Sequence, residues 1–222
     1  MNKVIFMCYK NLKDIEIHSK NWIKLNPDWK IRLFDDKLCK EFLLLTYGDL
    51  FVNIFDFIKD GPIKADFWRL CILYKYGGLY VDADIEPLIP LNKYLTDTID
   101  FATCLSSHQE NRGRFPRKTW NSNPHFIYCK HPYNKLIKSC ICLYVSMFQN
   151  EKPYSYWTWS ITGVFNQQIN LLHQNNSGII FYKNMKILLL QEVKCQYCEF
   201  GNIKVLNNRY ENYKNHQFIK ND

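Results

Sequence analysis

Residues 60–88 read DGPIKADFWRLCILYKYGGLYVDADIEPL, the most informative run in the chain. Asp60-Gly61-Pro62 supplies a capping residue and a proline where a helix would begin. Ile63, Phe67, Leu70 and Tyr74 follow at helical spacing and form one buried stripe. Asp66 and Arg69 are three residues apart, so both project from one face of that helix. Gly77-Gly78 ends it with a residue able to take positive φ. Leu79-Tyr80-Val81 then reads as a buried strand, with Asp82-Ala83-Asp84 where it emerges. Ligands of open α/β sheets bind outside the carboxyl ends of the strands, so these two carboxylates mark a candidate site.

The same alternation extends upstream. Val4 to Cys8 is a short apolar run that suits a central strand. Leu12, Ile15, His18, Trp22 and Leu25 recur at helical spacing and stop at Asn26-Pro27, and His18 on that stripe reads as a packed core histidine. Trp29, Ile31 and Leu33 alternate with Lys30 and Arg32 in a second strand, and a helix follows from about Lys37 to Tyr47, ending at Gly48. Strand, helix, strand, helix is the start of an α/β sheet.

Downstream, Phe101 to Leu105 and Phe126 to Cys129 read as strands. The polar stretch between them, Ser106 to Asn123, carries Arg112, Arg114, Arg117 and Lys118 and reads as a solvated loop or a lid over an anionic ligand. Leu136, Cys140, Leu143, Tyr144 and Met147 mark a helix, and another is expected from about Thr162 to His173. Ile179 to Phe181 and Ile187 to Leu190 are late strands. No repeat, low-complexity tract or linker interrupts the chain, so residues 1–222 read as one domain.

The 222 residues are 47% hydrophobic and 23% charged, which excludes a largely disordered chain. Net charge is +8, which favours anionic partners. The lysines are scattered, so a nucleic-acid tail is not indicated. Aromatics are abundant and alanines only Ala65, Ala83 and Ala102, a bias that AT-rich coding would produce, as in a large DNA virus or an AT-rich microbe. Cys8, Cys71, Cys104, Cys129, Cys140 and Cys142 lie in apolar segments, as buried free thiols do in a reducing compartment. Cys195-Gln-Tyr-Cys198 is a CxxC without a second pair at zinc-finger spacing. The N-terminal apolar run is too short for a signal peptide, and no stretch approaches a membrane span, so a cytoplasmic protein is expected.

Asp82 and Asp84 admit several chemistries. Carboxylate oxygens suit Mg²⁺ or Mn²⁺ together with substrate phosphates. They also suit the nucleophile and acid of a haloacid-dehalogenase-type phosphatase, although that family wants Thr or Val where Glu86-Pro87 stands. A pair of carboxylates at a turn is the bland alternative.

The upstream helix adds specificity. Ala65-Asp66-Phe67-Trp68-Arg69, then Leu73-Tyr74-Lys75-Tyr76-Gly77-Gly78-Leu79-Tyr80-Val81-Asp82-Ala83-Asp84, resembles the DXD-containing sugar-transfer region shared by family 32 glycosyltransferases, mannosyltransferases among them, and the large clostridial glucosylating toxins. Val4 to Lys10 resembles that family's first nucleotide-binding strand, and Trp22 with Asn26-Pro27-Asp28-Trp29 its turn before the second strand. The clear resemblance covers about residues 3 to 90.

The resemblance implies a GT-A fold, a Rossmann-like α/β domain with a central mixed sheet. Residues 1–100 would be the nucleotide-sugar-binding half and 101–222 the acceptor side. It implies a metal-dependent transferase, using Mn²⁺ or Mg²⁺, that moves a hexose from a UDP- or GDP-linked donor to a glycan or protein hydroxyl. Asp84 is then the expected direct metal ligand, and Asp82 contacts the ribose or the metal shell. Asp66 and Arg69 would hold donor-sugar hydroxyls, and Tyr80 joins the substrate-binding set. Family 32 enzymes are retaining, and no carboxylate here presents itself as a nucleophile, which favours same-face transfer.

The C-terminal part departs from the family. Its Thr-Gly-Pro is matched by Thr162-Gly163 followed by Val164, and of a late His-x-x-x-x-Ser-Trp only His216 remains, as a candidate third metal ligand. The lid over the donor is therefore built differently, or activity is reduced. A degenerate nucleotide-sugar-binding protein without turnover is one alternative reading, and the phosphatase is the other. Tyr154, Tyr156, Trp157 and Trp159 are candidates for stacking on acceptor sugars, with core packing expected for at least half of them.

Overall fold

A computed structural model describes residues 2–110, 117–168 and 178–208. In chain order the first half is β1 (Val4–Cys8), α1 (Leu12–Leu25), β2 (Lys30–Phe34), α2 (Asp36–Tyr47), α3 (Asp49–Phe57), α4 (Gly61–Tyr76), β3 (Gly78–Val81) and β4 (Ile85–Pro87). The second half contributes β5 (Phe101–Glu110), β6 (Arg117–Cys129), α5 (Lys135–Gln149), α6 (Tyr156–Trp159), α7 (Ile161–Gln168), β7 (Gly178–Tyr182), β8 (Met185–Val193), β9 (Tyr197–Phe200) and β10 (Ile203–Asn208). The strands form one mixed sheet in the order β2-β1-β3-β6-β5-β8-β9-β10-β4, with β7 also on β8. β1 is parallel to both β2 and β3, so the chain ends of these strands open on the same side.

Alternation along each strand splits the core into two layers. Phe6 and Tyr80 face α2, α3, α4, α5 and α7, whereas Ile5, Met7, Leu79 and Val81 face α1 and the β4, β9 and β10 strands. α4 lies deepest: besides the expected stripe, Trp68, Arg69, Cys71, Ile72 and Leu73 are also buried. A helix covered nearly all round is held by the sheet below and its neighbours above, which its periodicity alone does not reveal. Gly77 ends it at φ 64°, donating its N–H to Leu73 O. Gly78 sits at φ 92°, where a Cβ would lie 2.7 Å from Val4 O, so only glycine lets β3 lie this close to β1.

Four expectations need correction. Ser106 to Glu110 and Arg117 to Asn123 are not loop: β5 and β6 continue as an antiparallel ribbon from Cys104–Asn123 to Glu110–Arg117; residues 111–116 lie outside the described residues. Ribbon strands pair through their backbones, which side-chain polarity does not report. Asp60 occupies the N-cap of α4 but makes no cap hydrogen bond; its carboxylate accepts from Tyr154 Oη at 2.6 Å. His18 is only half-buried, and its stripe buries Ile15, Ser19 and Trp22 instead. Cys142 is exposed on α5 and Cys8 half-buried, while Cys39, outside the apolar group, is buried in its place. α3, β4, β9 and β10 were not expected.

Candidate functional site

β1 ends at Cys8, and β3 runs out into Asp82-Ala83-Asp84. Between these ends and the first turns of α4 lies a cleft of about 310 Å³, within the range of small-molecule sites. Its lining includes Lys10, His18, Asp36, Arg69, Tyr80, Asp82 and Asp84.

α4 delivers Arg69 into this cleft from beneath. The guanidinium Nη2 is 3.0 Å from Asp66 Oδ1 and 2.9 Å from Asp82 Oδ1. Nη1 donates to Pro124 O at 2.6 Å and Nε to Ala65 O at 3.3 Å. Its Cζ stands 4.3 Å from the centre of the Tyr80 ring, whose hydroxyl donates to Asp82 Oδ1 at 2.8 Å. Arg69 is 3% exposed, and the two carboxylates that face it compensate its buried charge. Asp66, at 7% exposure, also accepts from Ile161 N at 2.9 Å and thereby anchors the start of α7.

Burial shapes the acidities. Burial pushes the Asp66 carboxyl up to about 7 against the pull of Arg69. Burial, with the neighbouring Asp82 charge, pushes Asp84 up to about 6. Each is therefore a carboxyl whose charged form gains from a further cation or hydrogen-bond donor.

Of the residues that the resemblance groups, Asp66, Arg69, Tyr80 and Asp82 form one bonded set, and Asp84 lines the same cleft. Thr162 and Gly163 lie in the first turn of α7 and are not among the cleft-lining residues; α7 joins the set through Ile161 N and Asp66. His216, Arg112 and Arg114 lie outside the described residues. Among the aromatics, Trp159 is fully buried against Tyr144 and Phe57, Tyr154 and Tyr156 are half-buried, and Trp157 is 65% exposed. Lys10, His18 and Asp36 escaped the sequence reading. For His18 a signal existed: a polar residue on an apolar stripe, here with an Nδ1 that is buried and has no hydrogen-bond partner among the described residues.

Comparison with known proteins adds an independent line. Residues 13–100 match the family model of the glycosyltransferase sugar-binding region containing the DXD motif. Mannosyl phosphorylinositol ceramide synthase of Saccharomyces cerevisiae is 30% identical over 171 residues, 70% of this chain and 43% of that protein. Inositol phosphoceramide mannosyltransferase 3 of Schizosaccharomyces pombe is 38% identical over 78 residues, 34% of this chain and 22% of that protein. The chain therefore spans less than half the length of either relative. The PaToxG glycosyltransferase structure superposes with a TM-score of 0.54 at 18% identity, covering 78% of this chain and 72% of that one, so the two share the GT-A fold. Among the described residues no helix is long and apolar enough to cross a membrane.

Proposed function

From the match of residues 13–100 to the DXD-containing glycosyltransferase sugar-binding region, we propose that the protein transfers a hexose from a nucleoside-diphosphate sugar to a hydroxyl acceptor. The observation that carries this reading is the Arg69 bridge between Asp66 and Asp82, with Asp84 beside it at the mouth of a cleft between parallel strand ends. Both relatives are named for mannosyl chemistry on inositol phosphoceramide, which puts GDP-mannose first among donors to test and a phosphate-bearing acceptor first among acceptors. The net charge of +8 agrees with anionic partners of that kind.

The site fits a divalent cation. Asp82 and Asp84 are hard oxygen donors, and burial together with the Asp82 charge raises the pKa of Asp84, so its charged form gains from a cation. Asp82 and Asp84 would hold the ion, Mn²⁺ or Mg²⁺, and when bound it supplies charge neutralisation for the departing diphosphate. Arg69 fixes the Asp82 carboxylate from below and, with Tyr80, sets which oxygen faces the cleft. Lys10 and His18 line the same cleft, and a nucleotide's ribose and phosphates would lie against them.

Both oxygens of Asp66 are engaged, one by Arg69 and one by Ile161 N, so this carboxylate orients the site instead of attacking the sugar. Same-face transfer is the course this reading takes from the family resemblance: the bond from the anomeric carbon to the diphosphate oxygen breaks, and the acceptor oxygen bonds to the same face. The acceptor's hydroxyl proton passes to the leaving diphosphate. The buried, unpaired thiols fit a reducing compartment, which supports a cytoplasmic location.

A thermal-shift panel of UDP- and GDP-sugars, with and without Mn²⁺ and repeated on Asp84→Ala, tests the reading. A ligand present at 100 times its Kd adds about 2.7 kcal/mol of stability. A metal-dependent shift with one donor, absent in Asp84→Ala, supports it. Well-folded protein that responds to no donor overturns it. A shift without sugar release or transfer would reduce the protein to a donor-binding one.

A further inference from the structure

A second cluster of metal-binding side chains lies behind the DXD turn, on the other side of β6. Cys104 comes from β5, His125 from the irregular stretch of β6, and Cys198 from β9. Cys104 and Cys198 are fully buried and His125 is 5% exposed. One ligand atom from each lies within 4.8 Å of the others, with His125 Nε2 3.3 Å from Cys198 Sγ and the two sulfurs 3.6 Å apart.

We propose that Cys104, His125 and Cys198 bind a structural Zn²⁺ ion, separate from any ion at Asp82 and Asp84. The donor set is the first argument: two thiolates and an imidazole are soft and borderline ligands, which select zinc over the Mg²⁺ or Mn²⁺ that carboxylates take. The second is distance. Around a tetrahedral zinc with Zn–S of about 2.3 Å and Zn–N of about 2.0 Å, sulfur atoms stand about 3.8 Å apart and nitrogen and sulfur about 3.5 Å. The 3.6 and 3.3 Å separations lie near those edges, so an ion enters with little rearrangement. The third is the strand order: β8 lies between β5 and β9, so Cys104 and Cys198 come from strands that do not pair with each other.

The surroundings are built to match. Glu192, 1% exposed and opposite Cys198 in the ladder, accepts from Asn123 Nδ2 and Asn208 Nδ2, each at 2.8 Å, so the shell around the cluster is ordered by hydrogen bonds. On binding, each thiol releases its proton to solvent and the imidazole coordinates in its neutral form. A fourth, non-protein ligand completes the tetrahedron.

The proposed ion has a task. At the pairing of Thr103 with Ile127 the β5–β6 register shifts, so Cys104 pairs with Asn123 and Pro124, His125 and Phe126 bulge out. From this bulge His125 O accepts from Asp82 N at 2.9 Å and Pro124 O accepts from Arg69. An ion that fastens His125 to β5 and β9 therefore fixes two carbonyls that position the DXD turn. The Cys195–Cys198 pair is not the motif involved: Cys195 is exposed in the preceding turn, while Cys198 points into the core.

Elemental analysis of the purified full chain, expressed with zinc and passed through a desalting column, should give about one zinc per chain. Reconstitution with Co²⁺ should give a thiolate-to-cobalt charge-transfer band. Cys104→Ser and Cys198→Ser should each lower retained metal at least about tenfold, while Cys195→Ser and Asp84→Ala keep both metal and band. If a cysteine variant fails to fold, the wild type decides: stripping zinc with a strong chelator should expose two further thiols to a thiol reagent and lower the Tm. Zinc-poor protein that gives no cobalt band overturns the proposal, as does a band that needs Cys195 and survives Cys104→Ser.

Discussion

Arg69 Nη2 lies 2.9 Å from Asp82 Oδ1 and so ties helix α4 to the far end of the strand that follows it. The same guanidinium reaches Asp66 and Pro124 O, which makes it the hub through which helix, strand and β6 bulge hold one geometry. A lysine has one nitrogen for these three acceptors and cannot reproduce the fork. Arg69→Lys should therefore destabilise by about 2 kcal/mol and Arg69→Met by about 3–5 kcal/mol, since the latter leaves buried carboxylates unpaired. Urea unfolding curves measure both, and a loss below about 0.5 kcal/mol for Arg69→Met would refute the hub.

Asp84 predicts a pH dependence. Its carboxyl titrates near 6 in the fold against an ordinary 3.8, chiefly because it is buried. The protonated form thus favours folding, an advantage complete below pH 3.8 and lost as pH rises through about 6. A divalent cation takes the proton's place, so stabilisation by Mn²⁺ should grow with pH and level off above about 6. Below that point, affinity should fall by about tenfold per unit for the one competing proton. Mn²⁺ titrations by calorimetry across that range check it, and Asp84→Asn should abolish the dependence.

Trp157 and Trp159 sit two residues apart but in opposite surroundings, 65% exposed and fully buried. Trp159→Ala should cost about 3–5 kcal/mol through the cavity it leaves. Trp157→Ala should change stability by less than about 0.5 kcal/mol. A drop in acceptor affinity on Trp157→Ala, read as a raised KM for acceptor with donor KM unchanged, would assign that ring to the acceptor side.

Gly78 stands at φ 92° with Val4 O where a Cβ would go. Gly78→Ala should cost at least about 2 kcal/mol from backbone strain alone, with separation of β1 from β3 added. Thermal unfolding measures the loss, and donor binding by the residual folded protein should weaken, because the cleft is built from the ends of those two strands.

Much of this was legible in one dimension because its causes are local. The spacing of Ile63, Phe67, Leu70 and Tyr74 announces α4, the three-residue separation of Asp66 and Arg69 puts them on one face, and Gly77-Gly78 ends the helix before a short apolar strand. Helical and strand periods are written within a few neighbours, and so is the DXD pair. The pairing of Ser106–Glu110 with Arg117–Asn121 was not legible, since a polar ribbon pairs through backbone groups that every residue carries. Nor was the role of Asp60, whose carboxylate meets Tyr154 from ninety-four residues away.

The amino-acid sequence by itself determined the α/β alternation, the strand-end carboxylates and the likeness of residues 13–100 to the DXD-containing sugar-binding region. Only the tertiary structure decided that Arg69 serves two acids at once, that His18 borders the cleft, and that Cys104, His125 and Cys198 meet. Those last three residues lie on strands set side by side by long-range pairing and on a bulge that shifts the register. Ladder register is a property of two chain segments at once, and neither segment read alone contains it.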